Sequence, residues 1–216
     1  MILSIDTTAE FGSIALTERD RTVEEILLHS PDGFGHILYQ HLEQLLGRNG
    51  VSVQQMDCFA AAAGPGSFTG VRVGLTAVKG LAEATGKPVV AVSNLRALAF
   101  LGSARLRATV LDARRGEVYG ALYNEKLEAV APEAVMKFAA WVVTLPTDGF
   151  EFISTDFAPW REHVDSSIPV VTAPRALAGA IGRIAWRELE AGRASDPAEI
   201  DANYVRRSDA ELFWKE

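Results

Sequence analysis

Short apolar and alternating runs, separated by turn residues, open the chain. Three of them fit β-strands: 1–6 (MILSID), 12–18 (GSIALTE) and 22–29 (TVEEILLH). A tight connection is expected at 19–21 (RDR). From 35 to 46 the apolar residues recur at helical spacing, which predicts a first helix. The apolar run 58–64 (CFAAAAG) then predicts a buried strand.

A second helix is predicted over 67–84, directly after a glycine-rich loop. Ser67 is a suitable N-cap because its hydroxyl can accept a hydrogen bond from a free backbone N–H of the first turn. Gly86 is a suitable stop, since glycine readily adopts the left-handed backbone of a helix C-terminus. A buried strand (88–93, PVVAVS) and a short helix (94–102, NLRALAFLG) follow.

The second half of the chain begins like the first. When Asp6 is aligned with Asp112, an Ala-Leu pair follows nine and ten residues later in both halves. The remaining predicted elements are a helix-like stretch at 133–143, strands at 150–155 and 168–173, and a long helix at 175–191 with Pro174 in its first turn. This pattern predicts a duplicated α/β fold of two tandem β-β-β-α-β-α units, divided into subdomains 1–103 and 104–216.

The loop GPGSFTGVRVG (64–74) does not fit the standard glycine-rich signatures. For a phosphate-binding loop of the form G-x-x-x-x-G-K-[ST], the interval from Gly64 to Gly70 is one residue too long, and Val71 and Arg72 stand at the Lys-Ser/Thr positions. The dinucleotide pattern G-x-G-x-x-G is also off by one residue. The nucleophile pattern G-x-S-x-G fails around Ser67.

Three interpretations of the loop stay open. It could form a tight turn with close internal packing, an anion site at a helix N-terminus, or a helix–helix interface with a partner protein. Gly66, Gly70 and Gly74 step by four residues, so they share one side of a helix.

An acidic residue at the end of the first strand is a feature of actin-like and sugar-kinase-like ATPases. In those proteins a glycine normally follows it and leaves room for a phosphate. Here Thr7 follows Asp6, and Ala113 follows Asp112. We therefore favour an Asp6 that caps its own turn over an Asp6 that serves an ATP site.

Composition narrows the function classes. The chain has 216 residues and a formal net charge of −7, so it is poorly suited to hold a nucleic-acid backbone by itself. Cys58 is the single cysteine, and no secretory leader or apolar stretch of membrane-spanning length is evident, which predicts a cytoplasmic protein. His36 and His41 are five residues apart rather than four, so we expect no metal site. No local Ser-His-Asp arrangement supports a protease.

Four segments together carry a family resemblance: SIDTTAEFGSIAL (4–16), GPGSFTGVRVG (64–74), DARRGEVY (112–119) and NYVRRS (203–208). In order and separation they resemble the TsaB (YeaZ) family along nearly the whole chain. The last segment departs from the family's Pro-x-Tyr-Leu-Arg, because Ala202 and Val205 replace the proline and the leucine.

The resemblance implies a duplicated actin/Hsp70/sugar-kinase-like fold and an accessory role. Family members are non-catalytic partners of TsaD, which forms the threonylcarbamoyl group on the adenosine next to the anticodon of ANN-reading tRNAs. TsaE joins the complex, and the chain is expected to contact tRNA only indirectly, through the complex. The resemblance also implies that the chain has no cofactor of its own, with ATP or ADP at the complex interface left open. A stand-alone ATPase or kinase of the same fold is the alternative.

The resemblance further implies an interface made by the first two helices, packed against those of TsaD or of a second copy. The expected interface residues are Leu38, Leu42, Gly66, Gly70, Gly74 and Leu75. Contacts to TsaE, nucleotide or tRNA are expected from Arg72, Arg114, Arg115 and Glu117, although a solvated turn also explains the last three. No catalytic or metal-ligating residue is expected.

Overall fold

The computed structural model of the protein describes residues 1–206, which form two five-stranded sheets. The second arginine of the 203–208 segment, Arg207, lies outside the described residues. The first sheet has the spatial order β3-β2-β1-β4-β5. Its strands are β1 (Ile2–Asp6), β2 (Phe11–Glu18), β3 (Arg21–His29), β4 (Cys58–Gly64) and β5 (Val89–Ser93).

Helices cover both faces of this sheet. On one face, α1 (Leu38–Asn49) and α2 (Phe68–Thr85) pack with Leu3 and Ile5 of β1 in one apolar core. On the other face, α5 (Ala178–Glu190) packs on β1, β2 and β4. Ser4 points to that second face, where its hydroxyl donates to the carbonyl oxygen of Ala178 at 2.7 Å. The alternation along β1 thus assigns its apolar side chains to one helix layer and a hydroxyl to the other.

The second sheet repeats the order of the first as β10-β9-β6-β7-β8. Its strands are β6 (Leu106–Asp112), β7 (Glu117–Asn124), β8 (Ala129–Lys137), β9 (Phe150–Ser154) and β10 (Val170–Thr172). In both sheets the first strand pairs antiparallel with the second and parallel with the fourth. This shared topology confirms the predicted duplication and the actin-like fold class.

The core of the second sheet is rich in aromatic side chains. Phe138 and Trp141 belong to the one-turn helix α4 (Phe138–Val142), and they pack with Phe152 and Phe157. Gly120 of β7 lies beneath the indole of Trp141, since a Cβ at this position would come within 2.2 Å of the ring. The short helix α3 (Asn94–Ala99) follows β5 in the chain.

Two compact units do not coincide with the two halves of the chain. One comprises Met1–Ala97 and Pro174–Ala202, and the other comprises Leu98–Ala173 and the chain from Asn203 onward. The subdomains expected from sequence were 1–103 and 104–216. The difference arises because α5, which belongs to the second half by sequence, packs on the first sheet.

The helix-like stretch 133–143 was assigned wrongly from sequence. Residues up to Lys137 belong to the edge strand β8, and only Phe138–Val142 are helical. Pro174 also lies outside a helix, because α5 begins at Ala178. The predicted helices at 35–46 and 67–84 are confirmed with shifts of one to three residues at their ends.

Candidate functional site

The glycine-rich loop joins β4 to α2. Ser67 is the N-cap of α2, and its hydroxyl oxygen accepts a hydrogen bond from Gly70 N at 3.3 Å. Its backbone N–H donates to the carbonyl oxygen of Thr8 at 2.7 Å. At the other end of the helix, Gly86 is the left-handed C-cap. Both caps predicted from sequence are therefore confirmed, and Ser67 has a structural role in starting the helix.

The glycine strip of α2 faces the chain's own β1–β2 turn. A Cβ at Gly70 would lie 2.0 Å from the carbonyl oxygen of Thr7, and one at Gly66 would lie 2.4 Å from that of Thr8. A Cβ at Gly74 would lie 2.8 Å from the hydroxyl oxygen of Thr7. These distances correct the interpretation of the strip as a surface for a partner helix, since the close approach is made within the chain.

The apolar residues expected at the interface are also internal. Leu38, Leu42 and Leu75 are 1%, 4% and 5% exposed, and they belong to the core between α1, α2 and the first sheet. They fix the positions of the two helices, but their side chains offer almost no surface to a second protein. The interface predicted for α1 and α2 as a pair of helices stays a prediction.

The outer sides of α1 and α2 present a different set of residues. Tyr39 is 59% exposed and is one of the large exposed apolar side chains of the described residues. It borders a surface depression of about 400 Å³, whose exposed or partly exposed lining includes Gly35, Tyr39, Thr69, Arg72, Val73 and Thr76. The guanidinium carbon of Arg72 lies 5.7 Å from the ring centre of Phe68. We call this set the outer α1/α2 face.

Asp6, at the end of β1, is 2% exposed and is held in an internal network. Its Oδ1 accepts hydrogen bonds from the Thr8 backbone N–H at 2.9 Å and from the Thr8 hydroxyl at 2.7 Å. Its Oδ2 accepts from Asn94 Nδ2 at 3.3 Å. The predicted capping of its own turn by Asp6 is confirmed. Burial raises the pKa of this carboxyl group more than the hydrogen bonds from Thr8 and Asn94 lower it.

Asn94 connects this network to the glycine-rich loop, a role that no sequence pattern indicated. Its Nδ2 also donates to the Thr8 hydroxyl at 2.7 Å, while its Oδ1 accepts from Gly64 N at 3.1 Å. The ends of β1, β4 and β5 are thereby linked through one amide side chain. The arrangement fixes the β1–β2 turn against α2. The turn can lie this close because the glycine strip has no side chains in the way.

The N-terminus of α5 is satisfied by side chains of the first sheet, which the sequence also did not reveal. Ser13 Oγ accepts from Leu177 N at 3.0 Å and from Ala178 N at 2.9 Å. Glu25 Oε1 accepts from Gly179 N at 2.8 Å. Burial raises the pKa of Glu25, and the hydrogen bond from Gly179 offsets part of this effect. Three backbone donors at this helix end are therefore already engaged within the chain.

The charged hairpin between β6 and β7 is exposed at its tip. Arg114 and Arg115 have left-handed backbone angles of φ 64° and φ 57°. Glu117 pairs with Arg206, and the Arg206 guanidinium lies 5.8 Å from the ring centre of Tyr119. The structure thus brings together the segments 112–119 and 203–206, which are far apart in the sequence.

Cys58 is fully buried, and burial raises the pKa of its thiol to about 12. Among residues 1–206 there is no group of three or more His, Cys, Asp or Glu placed to hold a metal ion. In the same residues no helix is long and apolar enough to cross a membrane.

The chain is similar to known proteins of tRNA threonylcarbamoyladenosine biosynthesis over part or all of its length. The family model for TsaD, tRNA N6-adenosine threonylcarbamoyltransferase, matches residues 34–155. The tRNA threonylcarbamoyladenosine biosynthesis protein TsaB of Haemophilus influenzae is 37% identical over 99% of this chain and 95% of its own length. The protein of the same name from Bacillus subtilis is 29% identical over 100% of this chain and 98% of its own.

Two solved structures from Pseudomonas aeruginosa share the fold. YeaZ superposes with a TM-score of 0.80 at 25% identity, covering 94% of this chain and 98% of that one. An uncharacterized protein described as similar to the peptidase YeaZ gives a TM-score of 0.81 at 26% identity, covering 95% and 99%.

Proposed function

Because the chain belongs to the TsaB family, within the wider family that the TsaD model describes, we propose that it acts in tRNA threonylcarbamoyladenosine biosynthesis as the non-catalytic activating partner of TsaD. The observation that carries this proposal is the 37% identity to a TsaB protein over 99% of the chain. A likeness of this length includes both sheets and the five α-helices of residues 1–206, rather than one shared motif.

The contacts of the candidate reactive groups support the accessory role. Asp6 is buried and hydrogen-bonded to Thr8 and Asn94. Ser67 caps α2, and Cys58 lies in the core with a raised pKa of about 12. An acid, base or nucleophile that reacts with a substrate must reach that substrate. The contacts described for these three side chains are instead with other residues of the same chain.

The partner docks, in this proposal, on the outer α1/α2 face. The TsaD family model covers residues 34–155, which include α1, β4 and α2. A TsaD-type partner therefore carries helices that correspond to these two, and like helices can meet about a pseudo-twofold axis as in a symmetric dimer. The same face would serve a homodimer when TsaD is absent. Tyr39 suits the centre of such an interface, because exposed tyrosines contribute strongly when they become buried.

The remaining parts of the proposal concern the complex rather than the chain alone. TsaE joins the assembly, ATP or ADP binds at its interface, and tRNA reaches the chain through the complex. An acidic chain with a net charge of −7 fits indirect contact with tRNA, since direct phosphate binding needs a surplus of cationic side chains. The cytoplasm, where tRNA is modified, is the proposed compartment.

Reconstitution of the reaction tests the function. TsaD, TsaE, threonylcarbamoyl-adenylate synthase, ATP and an ANN-reading tRNA are combined with and without the chain, and modified adenosine is measured. We expect product only when the chain is added, and no ATP turnover by the chain alone. Equal product without the chain would remove the activating role. ATP turnover by the pure chain would favour the stand-alone ATPase.

A substitution on the outer α1/α2 face tests the docking site. Tyr39→Ala should weaken TsaD binding by about thirtyfold, since truncating a central interface tyrosine typically costs 2 kcal/mol or more. Val143→Ala is the matched control, because Val143 is also a large exposed apolar residue, at 79%, but lies in the other unit. Binding is measured by titration calorimetry. Equal affinities for the two variants would place the interface elsewhere.

A further inference from the structure

The β6–β7 hairpin holds two adjacent arginines in an unfavourable backbone conformation. Arg114 and Arg115 both have positive φ, and Gly116 follows with φ 74°. Left-handed backbone is costly for residues with a Cβ, so it persists only where the surroundings impose it. The hairpin is closed by hydrogen bonds from Ala113 N to Glu117 O and from Glu117 N to Arg114 O, both 3.0 Å.

Glu117 is anchored by a residue from outside the turn. Its Oε2 accepts a hydrogen bond from Arg206, whose side chain is only 16% exposed. The guanidinium lies 5.8 Å from the ring centre of Tyr119, which is itself buried. A second contact fixes the same chain segment, as Asn203 Nδ2 donates to Glu133 Oε2 at 2.6 Å.

The pair formed by Arg206 and Glu117 differs from a solvated surface ion pair. Exposed pairs contribute little because water screens both charges. Here the cation is mostly covered and rests on an aromatic ring, so its orientation is restricted. In contrast, the Arg114 side chain is 80% exposed, and its nearest carboxylate oxygen, on Asp112, lies at 3.7 Å. One arginine thus anchors the turn while another projects from it.

We propose that Arg206 is a positioning residue, which holds the hairpin through Glu117 so that Arg114 and Arg115 meet a phosphate group. The inference rests on the proposed function, because the phosphate belongs to a ligand of the TsaD complex. Guanidinium groups suit this ligand since they form paired hydrogen bonds to phosphate oxygens and stay charged at any physiological pH. The phosphate comes from bound nucleotide or from the tRNA backbone.

The test uses the full chain in the reconstituted TsaD reaction. Arg206→Gln, Arg114→Gln and the double variant are titrated against TsaD, ATP and tRNA. We expect each single change to raise the KM of one ligand, or lower the maximal rate, by about tenfold, a typical size for coupling between sites. The double variant should lose no more activity than the more impaired single variant, since both changes disable the same hairpin. The ligand whose KM rises identifies the source of the phosphate.

Two controls separate positioning from general damage. Arg105→Gln removes another exposed arginine of the same unit and should leave the rate unchanged. Arg206→Lys keeps the charge and should recover most of the activity. The concentration of chain that half-saturates TsaD should stay within about twofold in every variant, because none of these residues lies on the outer α1/α2 face.

Clear results overturn the inference. Full activity of Arg206→Gln, or losses that multiply in the double variant, would show that Arg206 does not act through the hairpin. If Arg206→Gln fails to fold, Glu117→Gln removes the same ion pair at a more exposed side chain and must show the tenfold loss. A wild-type chain that does not stimulate TsaD would refute the proposed function itself. If the wild type stimulates TsaD and Arg206→Gln is equally active, only the role of Arg206 is refuted.

Discussion

Replacing Gly70 by alanine should destabilise the protein, although alanine is the better helix former. The new Cβ would lie 2.0 Å from the carbonyl oxygen of Thr7 and 3.0 Å from its carbonyl carbon. Both neighbours are backbone atoms, so no flexible side chain can move aside. The Thr7 hydroxyl also donates to the Gly70 carbonyl oxygen at 2.7 Å, and a displaced turn would lose this hydrogen bond.

The magnitude follows from three contributions to the free energy of unfolding. Overpacking costs about 1–3 kcal/mol. The lost hydrogen bond costs about 1 kcal/mol. Helix propensity returns about 1 kcal/mol, because alanine is favoured over glycine inside a helix. The net destabilisation is therefore about 2 kcal/mol, which corresponds to a fall in Tm of roughly 4–8 °C for a chain of this size.

Gly80→Ala is the matched control on the same helix. Gly80 is exposed, and apart from its chain neighbours and the backbone of its own helix no atom lies within 4 Å of the position its Cβ would take. Here only helix propensity changes, so the variant should gain about 1 kcal/mol. Urea unfolding and thermal melts followed by circular dichroism give both values. The two identical substitutions should shift stability in opposite directions, and a Gly70→Ala variant as stable as Gly80→Ala would refute the inward packing of the strip.

Three further substitutions test the polar contacts of the first unit. Burial raises the pKa of Glu25, so the wild-type protein loses stability as pH rises above 4.5, the ordinary pKa of this side chain. Glu25→Gln should therefore gain stability relative to wild type between pH 4.5 and neutrality. Urea midpoints of the two proteins that stay parallel over this pH range would contradict this. Burial would raise the pKa of Glu188, but the hydrogen bonds from Arg193 and Arg96 lower it, so Glu188→Gln should lose roughly 1–3 kcal/mol at pH 7 and less as pH falls through 4.5. Asp6→Asn should cost about 2 kcal/mol by facing Asn94 with a second amide, and adding Asn94→Asp should restore most of it in a double-mutant cycle.

The first half of the chain could be predicted closely because its signals are local. Ser67 and Gly86 mark the ends of α2 through backbone chemistry that involves a few neighbouring residues. The alternation in β1 and β2 and the helical spacing of α1 likewise depend on short stretches. The duplication was also visible, because Asp6 and Asp112 end equivalent strands of two sheets with the same order.

The stretch 133–143 was missed because its pattern is ambiguous without its neighbours. Its alanines and spaced apolar residues suit a helix, yet residues up to Lys137 pair with β7. Pro132 gave a clue, since a strand tolerates proline at a sheet edge, and β8 is an edge strand. Whether this stretch forms a strand depends on its pairing with β7, which a local sequence pattern does not show.

The glycine strip shows how periodicity identifies a close contact without identifying what makes it. Spacing by four correctly placed Gly66, Gly70 and Gly74 on one side of the chain, but the approaching group is the turn at Thr7 and Thr8, about sixty residues earlier. In the docking proposed above, the partner therefore meets the opposite side of α2. The proposed docking therefore relies on the size and charge of the side chains on the outer α1/α2 face, and the glycines serve the packing of α2 within the chain.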